Sequence, residues 1–283
     1  MTDIEAIRAR RSVRSFDGKG LEDGARSALQ RILESSRVGP FGSDVGLALV
    51  DLSEDEGAFL RAKVTYGVIH GARSYVVGSV AGPRATVDFG HCLERVILEA
   101  TKLGLGTCWI GGTFHRSAFA ERARVEEGRL IPCVTPVGVA AQTKSLTERA
   151  MRVLAGSSGR LPWRELFFAD AGAAPLSPEA AGAFAEPLEC VRLAPSAANK
   201  QPWRVFSDPK ASTFHFALSR QHVYDRSIST VSLQEVDLGI ALCHFELACR
   251  ERKLEGSWRR DAQPKLPEGL EYIASWIGER SHP

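Results

Sequence analysis

The sequence predicts an α+β fold built from two tandem, degenerate halves, residues 1–161 and 162–283, which pack as a pseudo-dimer within one chain. Amphipathic helical patterns alternate along the chain with short apolar patterns that are typical of strands. This alternation stops in the polar stretch 142–162, which contains a Gly-Ser-Ser-Gly run and is typical of a connector. Beyond the connector, parts of the first half recur.

Two segments of the second half repeat segments of the first. Residues 176–199 align with residues 21–44 at a constant offset of 155, and seven of the 24 positions are identical. Residues 236–258 align with residues 87–109 at an offset of 149, and seven of the 23 positions are identical. Two matches in the same order favour an internal repeat. The alternative is a pair of unrelated domains, in which case both matches are accidental.

The periodicity of apolar residues predicts the individual elements. The longest predicted helix, 85–103, ends before Gly104, the residue type that most often follows a helix. In the second half, a helical run over 183–193 leads through a polar joint into a strand-like segment, 203–206. In the first half the predicted helices are 4–10, 22–38, 85–103 and 117–124, and the predicted strands are 46–52, 74–80, 107–110 and 134–141.

The overall composition argues against several classes of protein. The chain has 283 residues and a net charge of +2, because 36 basic residues almost balance 34 acidic ones, so we expect no nucleic-acid partner. No apolar run approaches the roughly 20 residues that span a bilayer. Residues 1–5 do not resemble the start of a signal peptide. We therefore expect no membrane partner and a cytoplasmic location.

The spacing of cysteines and histidines indicates neither a disulfide framework nor a metal site. The six cysteines form no Cys-x-x-Cys pair, and several lie in apolar helical runs, where a free thiol acts as a small hydrophobic side chain. The seven histidines do not recur at metal-ligand spacing. A reducing compartment is the simplest account of these cysteines.

The chain opens with a basic motif that begins Arg10-Arg11-Ser12 and ends at Arg14. A phosphate monoester favours planar, permanently charged donors, and Arg10 and Arg14 lie four positions apart near the end of the first helix. Ser12 adds a hydroxyl donor. The alternative is that Arg10, Arg11 and Arg14 merely complement the C-terminus of that helix.

The polar joint of the second half reads Pro-Ser-Ala-Ala-Asn-Lys-Gln-Pro-Trp from Pro195 onward. Ser196, Asn199 and Gln201 offer short side-chain donors and acceptors. The small side chain of Ala197 lets a flat ligand approach the backbone. The alternative is an ordinary helix stop and turn, which serine, asparagine and proline favour in any case.

The two halves keep different parts of this chemistry. Residues 40–44, which align with 195–199, read Pro-Phe-Gly-Ser-Asp and have lost the hydroxyl and amide pattern of the polar joint. Residues 165–169, which lie opposite 10–14, read Glu-Leu-Phe-Phe-Ala and cannot bind a phosphate. The first half therefore supplies the basic motif, and the second half supplies the polar joint.

The polar joint closely resembles the Pro-Ser-x-x-Asn-x-Gln-Pro-Trp loop of the nitroreductase family of FMN-dependent oxidoreductases. The basic motif resembles the phosphate-binding opening of the same family. Over nearly its whole length the chain resembles a fused, pseudo-dimeric branch, which implies a nitroreductase-like fold. Because family members are obligate homodimers with FMN at the subunit interface, a fused chain implies one complete site, one degenerate site and a monomer.

The resemblance assigns further residues. Gly111 and Gly112 match the segment whose backbone approaches the N5 edge of the flavin, although the family often has Glu in place of Gly111. Arg160 matches a basic residue that closes over the phosphate, whereas Ser158 stands where the family usually has Lys. The implied cofactor-binding set is Arg10, Arg11, Ser12, Arg14, Gly111, Gly112, Arg160, Pro195, Ser196, Ala197, Asn199 and Gln201.

The implied activity is that of an oxidoreductase that passes reducing equivalents from NAD(P)H through FMN to a small acceptor such as a nitroaromatic or a quinone. The cofactor carries this chemistry, so the sequence predicts no catalytic acid or base of the protein. One alternative is a flavin-binding or flavin-sensing protein without turnover. The other is a degenerate relative that binds no flavin.

Overall fold

The computed structural model describes residues 1–52, 67–112, 114–142, 159–169, 174–208, 212–220, 231–262 and 264–279. Its α-helices are α1 (Asp3–Ala9), α2 (Asp23–Ser35), α3 (Thr86–Lys102), α4 (Arg116–Arg122), α5 (Pro178–Ala181), α6 (Ala185–Leu193) and α7 (Leu233–Glu251). Its strands are β1 (Val45–Asp51), β2 (Ser74–Val80), β3 (Gly106–Thr107), β4 (Val134–Gly138), β5 (Phe167–Ala169), β6 (Ala174–Pro175), β7 (Trp203–Asp208), β8 (Thr213–Ser219), β9 (Gly256–Arg259) and β10 (Leu270–Gly278). Within these residues, no helix combines the length and the apolar character that crossing a membrane requires.

The strands form two sheets that share a strand order. The sheet of the first half has the order β1-β2-β4-β3, with antiparallel neighbours throughout. The sheet of the second half has the order β6-β5-β7-β8-β10-β9. Its last four strands repeat the order of the first sheet, and β5 is added parallel to β7. The predicted α+β fold of two similar halves is therefore confirmed, whereas the boundary at residue 161 stays a prediction.

Most elements predicted in the first half are present with shifts at their ends. α2 ends three residues earlier than predicted, because Val38 forms a bridge with Asp44 at the turn into β1. β3 covers only Gly106–Thr107, against the predicted strand 107–110, and Ile110 forms a separate bridge with Val134. The predicted connector 142–162 lies mostly outside the described residues.

α3 and α7 cross in the middle of the molecule at two glycines. A Cβ atom on Gly90 would lie 2.2 Å from the carbonyl oxygen of Val236, and a Cβ atom on Gly239 would lie 2.1 Å from the carbonyl oxygen of Val87. Both clashes would be with helix backbone, which cannot move without the whole helix. Gly90 and Gly239 are equivalent positions of the repeat, so each half makes the same close approach. Both helices are mostly buried as a result.

Two reciprocal pairs of ionisable groups join the same two helices. His244 Nε2 lies 2.8 Å from Glu94 Oε1, and both side chains are fully buried. On the other side of the crossing, His91 Nε2 lies 3.0 Å from Glu246 Oε2. Each glutamate belongs to one half and each histidine partner to the other, so both pairs hold the halves together.

Each of these glutamates also accepts a tryptophan indole. Trp109 donates to Glu94 at 2.7 Å, and Trp258 donates to Glu246 at 2.9 Å. Burial opposes the ionisation of Glu246, but hydrogen bonds from His91 and Trp258 outweigh it and hold the pKa of Glu246 below its ordinary value. Trp109 and Trp258 are identical positions of the repeat. This shared anchoring role gives a physical reason for that identity.

α1 belongs to the first half but packs at the junction of both. Ile4 and Ile7 share an apolar cluster with Leu98 of α3, Cys190 of α6 and Cys243 of α7. A capping box at its N-terminus and these contacts fix the direction of α1. The chain that follows α1, which carries the basic motif, therefore begins at the interface between the halves.

The crossing predicts the effect of adding a single methyl group. Gly239→Ala would force α3 and α7 apart, and we expect it to lower the free energy of unfolding by about 2–3 kcal/mol, the usual cost of overpacking a rigid core. The matched control is Gly24→Ala in α2, where a Cβ would meet no atom within 4 Å. Because alanine favours helix, the control should be neutral or stabilising by roughly 0.5 kcal/mol. Urea denaturation of both variants measures the difference, and equal stabilities would contradict the close crossing.

Candidate cofactor site

A pocket lies between the two halves, next to the crossing. The first half lines it with the basic motif and with Trp109 and Gly111, and the second half lines it with the polar joint and with α7. Nine of the predicted site residues line it, namely Arg10, Ser12, Arg14, Gly111, Arg160, Pro195, Ser196, Ala197 and Asn199. The remaining lining residues are Trp109, Cys133, Ala198, Leu233, Val236, Asp237 and Ile240.

Three of the predicted site residues do not line the pocket. Arg11 is exposed and donates to the carbonyl oxygens of Arg8 and Arg10, so it complements the end of α1. Gly112 follows the lining residue Gly111. Gln201 is buried behind the polar joint and supports it from outside the cavity.

The basic motif is held at one end of the pocket by backbone pairing. Ser12 forms a parallel bridge with Thr107, and the N–H of Val13 donates to the carbonyl oxygen of Thr107 at 2.8 Å. Arg10 Nε lies 3.9 Å from Glu94. The Nη1 atom of Arg10 and the Nε atom of Arg14 are buried and have no hydrogen-bond partner in the described part of the chain. A buried guanidinium with an unused donor indicates a site for an anion.

Arg160 joins this basic end from the second half. Its guanidinium donates to Asn199 Oδ1 at 2.8 Å and to the carbonyl oxygen of Leu193 at 3.1 Å. Burial, and then the positive charges of Arg10, Arg192 and Arg11, lower the pKa of Arg160 to about 10. Like charges are therefore concentrated here, and a bound anion would relieve their repulsion.

The polar joint is stabilised by its own hydrogen bonds. Ser196 Oγ accepts the N–H of Gln201 at 2.8 Å, and the side chain of Gln201 accepts the N–H of Leu161 at 2.9 Å. Ala198, Asn199 and Gln201 have φ values of 46°, 56° and 48°. Left-handed backbone at three non-glycine residues costs conformational energy and is typical of functional loops.

A second group of lining residues is apolar. Leu233, Val236 and Ile240 lie on one face of α7 and line the pocket together with Trp109. Gly111 is packed tightly there, since a Cβ on it would lie 2.8 Å from the side chain of Leu233. A side chain at this position would have to displace the side chain of Leu233 or the thiol of Cys133.

Asp237 on α7 also lines the pocket, and sequence reasoning missed it. It is 4% exposed and accepts the N–H of Ala197 at 2.9 Å. Burial raises the pKa of Asp237 to about 8, against the lowering effect of the Ala197 N–H. The available signal was its identity with Asp88 in the repeat. Among the described residues, no cluster of three or more His, Cys, Asp or Glu side chains could hold a metal ion.

The equivalent position on the other half carries two larger side chains. Phe41 and Arg260 take the repeat positions of Ser196 and Gly111. The guanidinium carbon of Arg260 lies 3.7 Å from the ring centroid of Phe41, a cation–π contact. Ser196 and Gly111, the smaller residues at the corresponding positions, line the pocket instead.

Two similar halves with a pocket between them define a nitroreductase-like fold. A family model described as "Putative TM nitroreductase" matches residues 3–249. The chain belongs to this nitroreductase family. The predicted resemblance to a fused branch of nitroreductases is thereby confirmed.

Similar solved structures include a "putative nitroreductase" from Thermotoga maritima, 20% identical, with a TM-score of 0.60 over 98% of this chain and 94% of that one. At this identity the match shows the fold alone. A nitroreductase from Desulfitobacterium hafniense with bound FMN is 22% identical over 51% of this chain and 92% of that one, with a TM-score of 0.40. One from Bacteroides fragilis with bound FMN is 24% identical over 51% and 91%, with a TM-score of 0.39. Comparison with curated proteins gave no match.

The basic end of the pocket predicts stabilisation by a simple anion. Inorganic phosphate at tenfold excess over its Kd should raise the free energy of unfolding by about 1.4 kcal/mol and Tm by about 4 °C, relative to sodium chloride of equal ionic strength. Arg14→Ala should abolish the increment. Arg8→Ala is the matched control, because Arg8 pairs with Glu186 at the surface and lies outside the pocket. Thermal unfolding measures the increment, and an equal increment in both variants would contradict this assignment.

Proposed function

We propose that this chain binds one FMN in the pocket and acts as an FMN-dependent oxidoreductase. The observation that carries the proposal is a pair of buried nitrogen atoms, Nη1 of Arg10 and Nε of Arg14, that have no hydrogen-bond partner in the described part of the chain. Both arginines line the pocket, and apolar side chains form another part of its lining. A phosphate joined to a flat aromatic ring system matches both parts. Family membership supports the same reading.

In this proposal the basic end holds the phosphate. Arg10, Arg14 and Arg160 neutralise its charge, and the hydroxyl of Ser12 donates a further hydrogen bond. Asn199 orients the Arg160 guanidinium through the 2.8 Å contact. Because Arg160 comes from the second half and the other arginines come from the first, the phosphate would join the two halves.

The apolar end holds the ring system. Leu233 and Val236 exclude water from it, while Ser196 and the backbone of Ala197 border it on the side of the polar joint. Gly111 lets the backbone approach the ring. Burial raises the pKa of the Cys133 thiol, so this neighbouring cysteine stays protonated and is not a nucleophile.

The bound cofactor would supply the redox chemistry, with NAD(P)H as the reductant and a small molecule such as a nitroaromatic or a quinone as the electron acceptor. The residues of the chain bind and orient the cofactor and keep water from one side of it. Access from the open side of the pocket would allow reductant and acceptor to bind in turn at the same place.

The proposal predicts one flavin per chain and its reduction by a nicotinamide nucleotide. Titration of the purified protein with FMN, followed by visible absorption, should saturate at one FMN per 30.8 kDa chain, because Phe41 and Arg260 fill the equivalent position. Addition of NADPH or NADH under nitrogen should then bleach the flavin bands. The Asn199→Leu, Arg14→Ala double variant should bind no FMN, whereas Arg8→Ala should bind like the unmodified protein.

Each other outcome has a distinct meaning. Two flavins per chain would contradict the filled second position. Bound flavin that neither nucleotide bleaches would favour a flavin-binding or flavin-sensing protein without turnover. No binding by the unmodified protein would overturn the proposal and favour a degenerate relative that keeps the fold alone.

We also propose that the protein is a monomer, because the contact that family members make between two chains is made here within one. α3 and α7, one from each half, already bury each other at Gly90 and Gly239. Size-exclusion chromatography with light scattering should give a single species near 30.8 kDa. A stable species of twice that mass at micromolar concentration would contradict the proposal.

A cytoplasmic location is part of the same proposal. All six cysteines are free and buried, and each behaves as a small apolar side chain of the core. Free thiols in this number suit a reducing compartment.

A further inference from the structure

Asp88 on α3 and Asp237 on α7 are equivalent positions of the repeat, yet their carboxyl groups are satisfied differently. Asp88 accepts the N–H of Phe41 on Oδ1 and the N–H of Ser43 on Oδ2, each at 3.0 Å. Asp237 accepts the N–H of Ala197 on Oδ1 alone. Its Oδ2 atom is buried and has no partner in the described part of the chain. Asp237 itself lines the pocket.

The unmatched oxygen belongs to an acid that is mostly neutral at pH 7. Asp237 is 4% exposed, and burial raises its pKa to about 8 despite the N–H of Ala197. Because Oδ1 accepts a hydrogen bond, the proton of the neutral acid resides on Oδ2. A buried O–H without an acceptor costs free energy unless a ligand supplies one.

No charged side chain offers that acceptor within the described residues. The titratable and charged groups that line the pocket with Asp237 are Cys133, Arg10, Arg14 and Arg160, and Arg116 donates to the carbonyl oxygen of Gly111 beside them. Asp88, His91 and Glu94 lie on α3, which crosses α7, and both oxygens of Glu94 are used by His244 and Trp109. The arginines are donors only. Both oxygens of Asp88 are already used by backbone N–H groups. Oδ2 itself has no partner among the described residues, and a ligand in the pocket would supply the acceptor.

We propose that Asp237 is a cofactor-binding residue that, as a neutral acid, donates a hydrogen bond from Oδ2 to an acceptor atom of the flavin ring system. The inference rests on the proposed function, because it takes FMN as the occupant of the pocket. The ring system of a flavin presents carbonyl oxygens and unprotonated nitrogens at its edge, so it offers acceptors to such a donor. The two equivalent aspartates, Asp88 and Asp237, thus have different roles. Asp88 holds the closed loop of the filled position, and Asp237 holds the open loop and the ligand.

The same geometry predicts how the protein without flavin responds to pH. The pKa of Asp237 rises from an ordinary value of 3.8 to about 8 on folding. Between these values the unfolded chain loses the proton and the folded chain keeps it, so the stability contributed by the neutral acid falls as pH rises from about 4 to about 8. Asp237→Asn keeps an acceptor for Ala197 and a donor at the second position but cannot ionise. The flavin-free variant should therefore have a higher Tm than the unmodified protein at pH 8, and the difference should vanish near pH 4.

The test compares Asp237→Asn with Asp88→Asn, in flavin-free protein and in FMN titrations from pH 7 to pH 9. For the unmodified protein the Kd for FMN should rise by about tenfold over this range, because ionised Asp237 no longer donates. Asp237→Asn should bind FMN with a nearly constant Kd. The FMN phosphate titrates near pH 6 and affects all variants alike. Asp88→Asn should lower Tm, since its amide can accept only one of two N–H groups, and should keep the tenfold dependence.

Each result decides the inference. The inference is supported if the Kd for FMN is independent of pH in Asp237→Asn and in no other variant, and if flavin-free Asp237→Asn has a higher Tm than the unmodified protein at pH 8. FMN binding that is independent of pH in the unmodified protein, or equally dependent in Asp237→Asn, would overturn the role of Asp237 and leave the proposed function standing. A failure of the unmodified protein to bind FMN at any of these pH values would overturn both.

Discussion

The close crossing of α3 and α7 is the constraint on which the rest of the structure depends. Gly90 and Gly239 bring the helix backbones within a distance that no side chain would permit. Glu94 and Glu246 then each meet a histidine of the other half and an indole of their own half. The crossing buries most of both helices. It therefore fixes the position of the segments that flank these helices in one half relative to the other half.

The crossing generates two equivalent positions, one on each half, and only one of them forms the pocket described above. At one, Phe41 and Arg260 stack on each other and the carboxylate of Asp88 binds two N–H groups of the neighbouring loop. At the other, small residues leave a pocket, and Asp237 binds one N–H group. The bulk of two side chains thus distinguishes a closed position from an open one within the same architecture.

The open position is electrostatically unfavourable for the protein alone. Arg10, Arg14 and Arg160 line its basic part, and burial together with the charges of Arg10, Arg192 and Arg11 lowers the pKa of Arg160. At the other end, Asp237 is held neutral by burial. Unsatisfied groups of this kind are typical of sites that evolve for a ligand at some expense of stability. A ligand that joins an anionic group to a flat acceptor edge would satisfy both ends together.

Local patterns in the sequence predicted much of this fold and part of the site. The apolar period identified helices such as 85–103, and the spacing of Arg10, Ser12 and Arg14 marked residues that line the pocket, because these signals lie within short stretches of sequence. The repeat, read by comparing one part of the sequence with another, identified the two similar halves. Only the tertiary structure placed Arg11 outside the pocket, stacked Arg260 on Phe41 and left Asp237 with one unmatched oxygen. Burial and hydrogen-bond partners are set by residues far apart in the chain, and they emerge only when α3 and α7 bring the two halves together.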